Sequence, residues 1–169
     1  MNQEWNNEVN STFSLVTPPS LFFPTSGPKI FLAGSINMGE APDWQAEIIK
    51  YIKETWTNCD VTVYNPRRAE IFTPEMEEEQ VAWEACMLQN SDFILMHLAA
   101  GGGLSPISLL ELGLYMKNEK LYLSIEEDYS RKYVTSIHYA LSGANIITES
   151  ANDSVECMRL SWSRSKRNR

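Results

Sequence analysis

Phe93-Ile94-Leu95-Met96-His97-Leu98 runs into Ala99-Ala100-Gly101-Gly102-Gly103-Leu104 and then into Ser105-Pro106-Ile107-Ser108-Leu109-Leu110-Glu111-Leu112-Gly113-Leu114-Tyr115. Six residues in an apolar run read as a strand buried on both faces. The glycine-rich loop ends that strand. Ser105 and Pro106 then read as N-cap and first residue of a helix. The same alternation extends in both directions. Ile30–Ala33, ended by Gly34-Ser35, and Val61–Tyr64, ended by Asn65-Pro66, are further short strands, as are Leu121–Ile125 and Asn145–Thr148. Helices are predicted from Ala41-Pro42, with Trp44, Ile48, Ile49, Ile52 and Trp56 on one face, and from Thr73-Pro74 to about Gln89. Two more are predicted around Lys132–Leu141 and near Val155–Trp162. Strands alternating with helices give an α/β fold whose parallel sheet is covered on both faces.

At 169 residues the chain suffices for one domain with a proper core, and 43% hydrophobic with 11% aromatic content is globular. We place that domain at 29–160. Residues 1–28 are polar and hold Pro18, Pro19, Pro24 and Pro28 without a sustained period. They read as an N-terminal extension, mobile or laid over the surface. Its apolar cluster Leu21-Phe22-Phe23 offers a docking point on the body or on a neighbouring subunit. Residues 161–169 form a basic tail, Arg164, Lys166, Arg167 and Arg169, read as a solvated, disordered terminus.

Charge and composition exclude several classes. The net charge is -8, and the four tail cations make the rest of the chain more acidic still. Such a domain is a poor partner for duplex nucleic acid. No apolar run approaches a membrane span, and no leader precedes a cleavage site. Cys59, Cys86 and Cys157 are too few for a disulfide framework, and with only His97 and His138 no metal centre is expected. A reduced, cytoplasmic enzyme or binding domain without cofactor is the default.

Two acids stand out. The stripe Ile107, Leu110, Glu111, Leu114 places Glu111 where burial is expected, with no Lys or Arg among its helical neighbours. A buried acid without a partner costs several kcal/mol (roughly 2–7 for even a neutral polar group), and chains tolerate that mostly at sites. Glu84 lies between Val81 and Leu88 beside Trp83 and Met87, and Gln80 and Leu88 at i−4 and i+4 supply no cation. Together they resemble the paired carboxylates of glycosyl-transfer chemistry. Ligands of open parallel sheets bind beyond the carboxyl ends of the strands. Three segments occupy such ends: Gly34 to Gly39, Asn65 to Arg68, and Ala99 to Ser105. Gly34–Gly39 can turn backbone N–H groups toward a phosphate but matches neither the P-loop nor the dinucleotide fingerprint. Arg67 and Arg68 can clamp a phosphate or pair with the abundant acids. Asp92, His97 and His138 read as structural.

In this order, Ile30-Phe31-Leu32-Ala33-Gly34-Ser35-Ile36, Asn65-Pro66-Arg67-Arg68, Gln80-Val81-Ala82-Trp83-Glu84, Ser91-Asp92 and Ser105 to Gly113 resemble the nucleoside 2-deoxyribosyltransferase superfamily. The likeness is to its 2-deoxyribosyltransferase-like branch and covers about Lys29 to Thr148. It implies a flavodoxin-like, five-stranded parallel sheet and a homo-oligomer with shared active sites. It also implies a nucleoside or nucleotide substrate, with Glu111 as nucleophile on C1′ and Glu84 as its companion. Ser105 stands where transferases often carry Asp. With Gly34, Ser35 and Ile36 it is similar to the related 2′-deoxynucleoside 5′-monophosphate N-glycosidases, in which that loop and Ser hold a phosphate. Ser136 occupies the place of a second phosphate-binding Ser donated across a dimer, whereas Asn37-Met38 replaces an Arg of those hydrolases. Asn65, Arg67 and Tyr115 complete the expected substrate-binding set, Tyr115 lying one turn beyond Glu111. The competing expectations are a nucleotide- or nucleotide-sugar-binding regulatory module without turnover, and an interaction protein using the N-terminal aromatic cluster.

Overall fold

In Lys29–Gly34 (β2) the side chains alternate: Ile30 and Leu32 pack to one side, Phe31 and Ala33 to the other. That period-two split sets the whole architecture. The computed structural model describes residues 11–36, 43–68 and 73–167. Around β2 the sheet is built from Phe13–Val16 (β1), Val61–Tyr64 (β3), Phe93–Leu98 (β4), Leu121–Ile125 (β5) and Ile147–Thr148 (β6). All neighbours pair in parallel, in the order β1-β3-β2-β4-β5-β6. The inner order is flavodoxin-like, and the direction of winding reverses between β2 and β4.

Among the described residues the sheet has six strands where five were expected. The extra strand, β1, comes from the segment read as an extension. It pairs with β3 from Phe13↔Val61 to Val16↔Tyr64 and buries Val16. The following residues are laid over the body: Trp83 Nε1 donates to Ser20 O (2.7 Å) and Tyr64 Oη to Phe22 O (3.1 Å).

Helices Trp44–Thr55 (α1) and Ala151–Arg167 (α5) cover one face. Trp44, Ile48, Ile52, Val155 and Met158 pack there on Ile30, Leu32, Val63 and Leu95. Helices Glu77–Asn90 (α2), Pro106–Tyr115 (α3) and Lys132–Leu141 (α4) lie on the other face. There Trp83, Met87, Leu112 and Tyr139 pack on Phe31, Ile94, Met96 and Leu123. Asp43 caps α1, accepting from Ala46 N (3.1 Å); the predicted opening at Ala41-Pro42 lies outside the described residues. Thr73-Pro74 opens a 3-10 turn, Pro74–Met76, that leads into α2. The basic tail is helical through Arg167, because Trp162 holds α5 against Phe93 (ring centroids 6.4 Å apart). Among the described residues, no helix is long and apolar enough to cross a membrane. Asp92 closes the amino-terminal end of the sheet, accepting from Lys29 N (2.9 Å) and pairing with Lys29 Nζ (3.1 Å).

Candidate active site

Beyond the carboxyl ends of β2 and β4, where the winding reverses, lies a cleft of about 440 Å³. That size suits a small molecule, whose pockets run to roughly 300–1,000 Å³. Phe31, Ala33, Gly34 and Ile36 supply its floor from β2, and Pro66 closes it from β3. Leu104, Ser105, Pro106, Ile107 and Ser108 form a wall, and Glu84 and Glu111 project into it from α2 and α3. No Lys, Arg or His is among these lining residues.

The two carboxyls differ in their support. Burial, and then the charge of Glu84, push Glu111 up to about 7. Burial also raises Glu84, but a hydrogen bond from Gln80 Nε2 (2.7 Å) and the charge of Arg68 pull against it. Arg68 reaches Gln80 Oε1 with Nε (2.7 Å) and Glu79 with Nη2 (2.5 Å), while Gln80 Nε2 also donates to Pro66 O (2.9 Å). Glu84 thus has a cation after all. It arrives from the loop after β3, not from a helical neighbour, and acts through Gln80. Helical spacing alone could not reveal it. The apolar pocket residues Phe31, Pro66, Leu104 and Ile107 and the relay residue Gln80 were likewise not anticipated as site residues.

Glu111 is half-buried, and for a reason other than the expected one. The stripe thought to face the core is exposed: Ile107 by 64%, Leu110 by 61% and Leu114 by 71%. The helix instead buries Ser108 and Leu112. Glu111 sits at the border between that core face and the exposed stripe, opening onto the cleft. Ser105 occupies the N-cap position at φ 45° without a capping hydrogen bond from its side chain. Its hydroxyl donates to Ser35 Oγ (2.8 Å).

The remaining candidates divide between the cleft and its supports. Gly34, Ile36 and Ser105 line it. Ser35 is fully buried beneath it, its Oγ also accepting from Ala99 N (3.2 Å), and Ser108 Oγ donates to Gly34 O (2.8 Å). Gly34 has φ +141° and lies so close to β4 that a Cβ would stand 2.0 Å from His97 O. Asn65 is buried and accepts from Arg67 N (3.1 Å). Arg67 points toward α1, where Nη2 donates to Gln45 Oε1 (3.2 Å) and Nε lies 3.5 Å from Asp43. Tyr115 is raised by burial and then by the charge of Glu111, but it does not line the cleft. Ser136, on α4, is away from the cleft of its own chain. Asn37, Met38 and Gly39 lie outside the described residues. Among the described residues, no three His, Cys, Asp or Glu side chains gather to hold a metal ion.

A doubly wound parallel sheet with a small-molecule cleft at its switch point defines the class of protein. Residues 27–129 match the family described as nucleoside 2-deoxyribosyltransferase like, and the chain belongs to that family. The match takes in both carboxylates and all three strand-end loops but ends before Ser136. No curated protein matches the chain in sequence.

Proposed function

We propose that the protein breaks, or transfers across, the N-glycosidic bond of a nucleoside or deoxynucleoside, with Glu111 as nucleophile at C1′. One observation carries this reading: a carboxyl with no cation at its side among the described residues, raised to about 7, faces Glu84 across a small-molecule cleft. The carboxylate of Glu111 forms a C1′–O bond as the C1′–N bond breaks. The electron pair goes to the base nitrogen, which takes up a proton. Glu84, held by Gln80, delivers that proton or holds a sugar hydroxyl. Attack at C1′ by water, or by a second base, then frees Glu111 with net retention.

The cleft favours a substrate without a 5′-phosphate. The hydroxyls expected to hold phosphate are engaged internally, Ser105 with Ser35 and Ser35 with Ala99 N. Among the described lining residues, no cation offsets a dianion beside two carboxyls. The exposed apolar residues of α3, and Tyr133, Val134, Ile137 and Leu141 of α4, suit burial against a second copy. Such a homo-oligomer is what the expected role of Ser136, donated across a dimer, requires. Three free cysteines accord with a reducing, cytoplasmic setting.

The test is chromatography of free base from deoxynucleosides, ribonucleosides and their 5′-monophosphates, with and without an acceptor base. Wild type releases base and Glu111→Gln loses at least about 1,000-fold of that activity with its fold intact. Equal release by the variant sinks the assignment. Binding without release in either protein supports the non-catalytic module instead.

A further inference from the structure

The wall of the cleft begins in a segment that cannot hold itself. Ala99-Ala100-Gly101-Gly102-Gly103 forms a 3-10 turn over Ala100–Gly102, and its N-cap, Ala99, has no acceptor to offer the leading N–H groups. A run of three glycines also loses more chain entropy on ordering than other residues do. The caps come from elsewhere. Ser35 Oγ takes the N–H of Ala99, and Glu126 Oε2 takes the N–H of Ala100 at 2.8 Å. Glu126 lies just past the end of β5, where its own N–H donates to Leu98 O (3.1 Å). Its other oxygen, Oε1, is 3.3 Å from His97 Nε2. His97 is itself fixed: Nδ1 is 2.7 Å from Ser124 Oγ, and Trp44 packs against the ring at 5.0 Å. With Nε2–H donated to the carboxylate, Nδ1 accepts from the buried Ser124 hydroxyl, so a neutral ring satisfies both neighbours. Burial, which outweighs Glu126 here, favours that neutral ring. Farther along, Tyr129 Oη donates to Leu104 O (3.0 Å).

We propose that Glu126, aimed by His97 and Ser124, is a positioning residue that caps the Ala100–Gly102 turn and so sets Leu104 and Ser105 against the substrate. This inference rests on the glycosidic reading for its kinetic arm only.

The experiment compares Glu126→Ala and Glu126→Gln in the full chain by amide hydrogen exchange over residues 99–105 and by steady-state cleavage of a deoxynucleoside. Glu126→Ala speeds exchange in the glycine run by about tenfold or more. It raises KM about tenfold while kcat stays within about threefold. Glu126→Gln, whose amide oxygen still accepts from Ala100, restores most of both. Unchanged exchange in Glu126→Ala overturns the proposal. So do faster exchange without a change in KM, and equal losses in the two variants. Should wild type release no base, the glycosidic reading has failed, and the exchange comparison still decides whether Glu126 caps the turn.

Discussion

Glu111 ties function to a stability cost. Its carboxyl is raised from an ordinary 4.5 to about 7, chiefly by burial and then by Glu84. A group shifted upward stabilises the fold below its ordinary value and loses that contribution as pH rises through about 7. Wild type is therefore less stable at pH 8 than at pH 5 on account of this group. Glu111→Gln removes the buried charge and gains about 2 kcal/mol at pH 8, with little change at pH 5. Thermal melts of both proteins at the two pH values check this; an equal difference at both would refute it. In catalysis the same titration acts in the opposite sense, because the nucleophile must be ionised. We expect kcat/KM of wild type to fall about tenfold per pH unit below about 7. For Glu84, Gln80→Met removes the hydrogen bond that lowers its pKa, so any alkaline limb set by Glu84 moves to higher pH. A pH–rate profile of that variant decides it.

Elements hold the site by close approach. The end of β2 fits against β4 only because residue 34 has no side chain: φ is +141° and a Cβ would meet His97 O at 2.0 Å. Gly34→Ala should cost about 3 kcal/mol or more, through backbone strain and separation of the strand ends. Urea unfolding measures it, and a loss below about 1 kcal/mol would mean that the strands part easily. At this scale the chain was only partly legible. The strands β2 to β6 and α4 stand out because apolar runs and turn residues bound them. Phe13-Ser14-Leu15-Val16 does not, since its pairing with Val61 to Tyr64 is formed across 45 or more residues and leaves no local pattern. For α3 the apolar periodicity is real, but the face it marks is not the one that packs on the sheet. Ile107, Leu110 and Leu114 form an apolar face without forming the core, and Ser108 lies inward because its hydroxyl has Gly34 O to bond.

The whole molecule presents α3 and α4 as one surface. Tyr129 donates to Leu104 just before the two helices and Ser142 Oγ to Met116 O (3.1 Å) just after them, so the helices begin and end together, and each carries exposed apolar residues. Burial of large aliphatic side chains contributes roughly 1.5–3 kcal/mol each, enough in sum to drive association. Light scattering should give a mass of at least twice the 19.3 kDa chain, and Leu110→Glu with Leu114→Glu should return it to one chain with unchanged circular dichroism. A wild-type monomer would refute the assembly, and retained base release by the monomeric variant would show that each cleft is complete alone.

By itself the sequence determined the α/β alternation, the three strand-end loops and the oddity of two acids on helices with no cation at helical spacing. These are local properties, written in apolar periodicity and turn chemistry over a few residues. Only the tertiary structure decided which face of α3 is core, that β1 joins the sheet, that Arg68 reaches Glu84 through Gln80, and that Glu126 caps the glycine turn. Each of those depends on groups distant in sequence meeting at the carboxyl ends of parallel strands, where burial and neighbouring charge, not residue type, set what a carboxyl does.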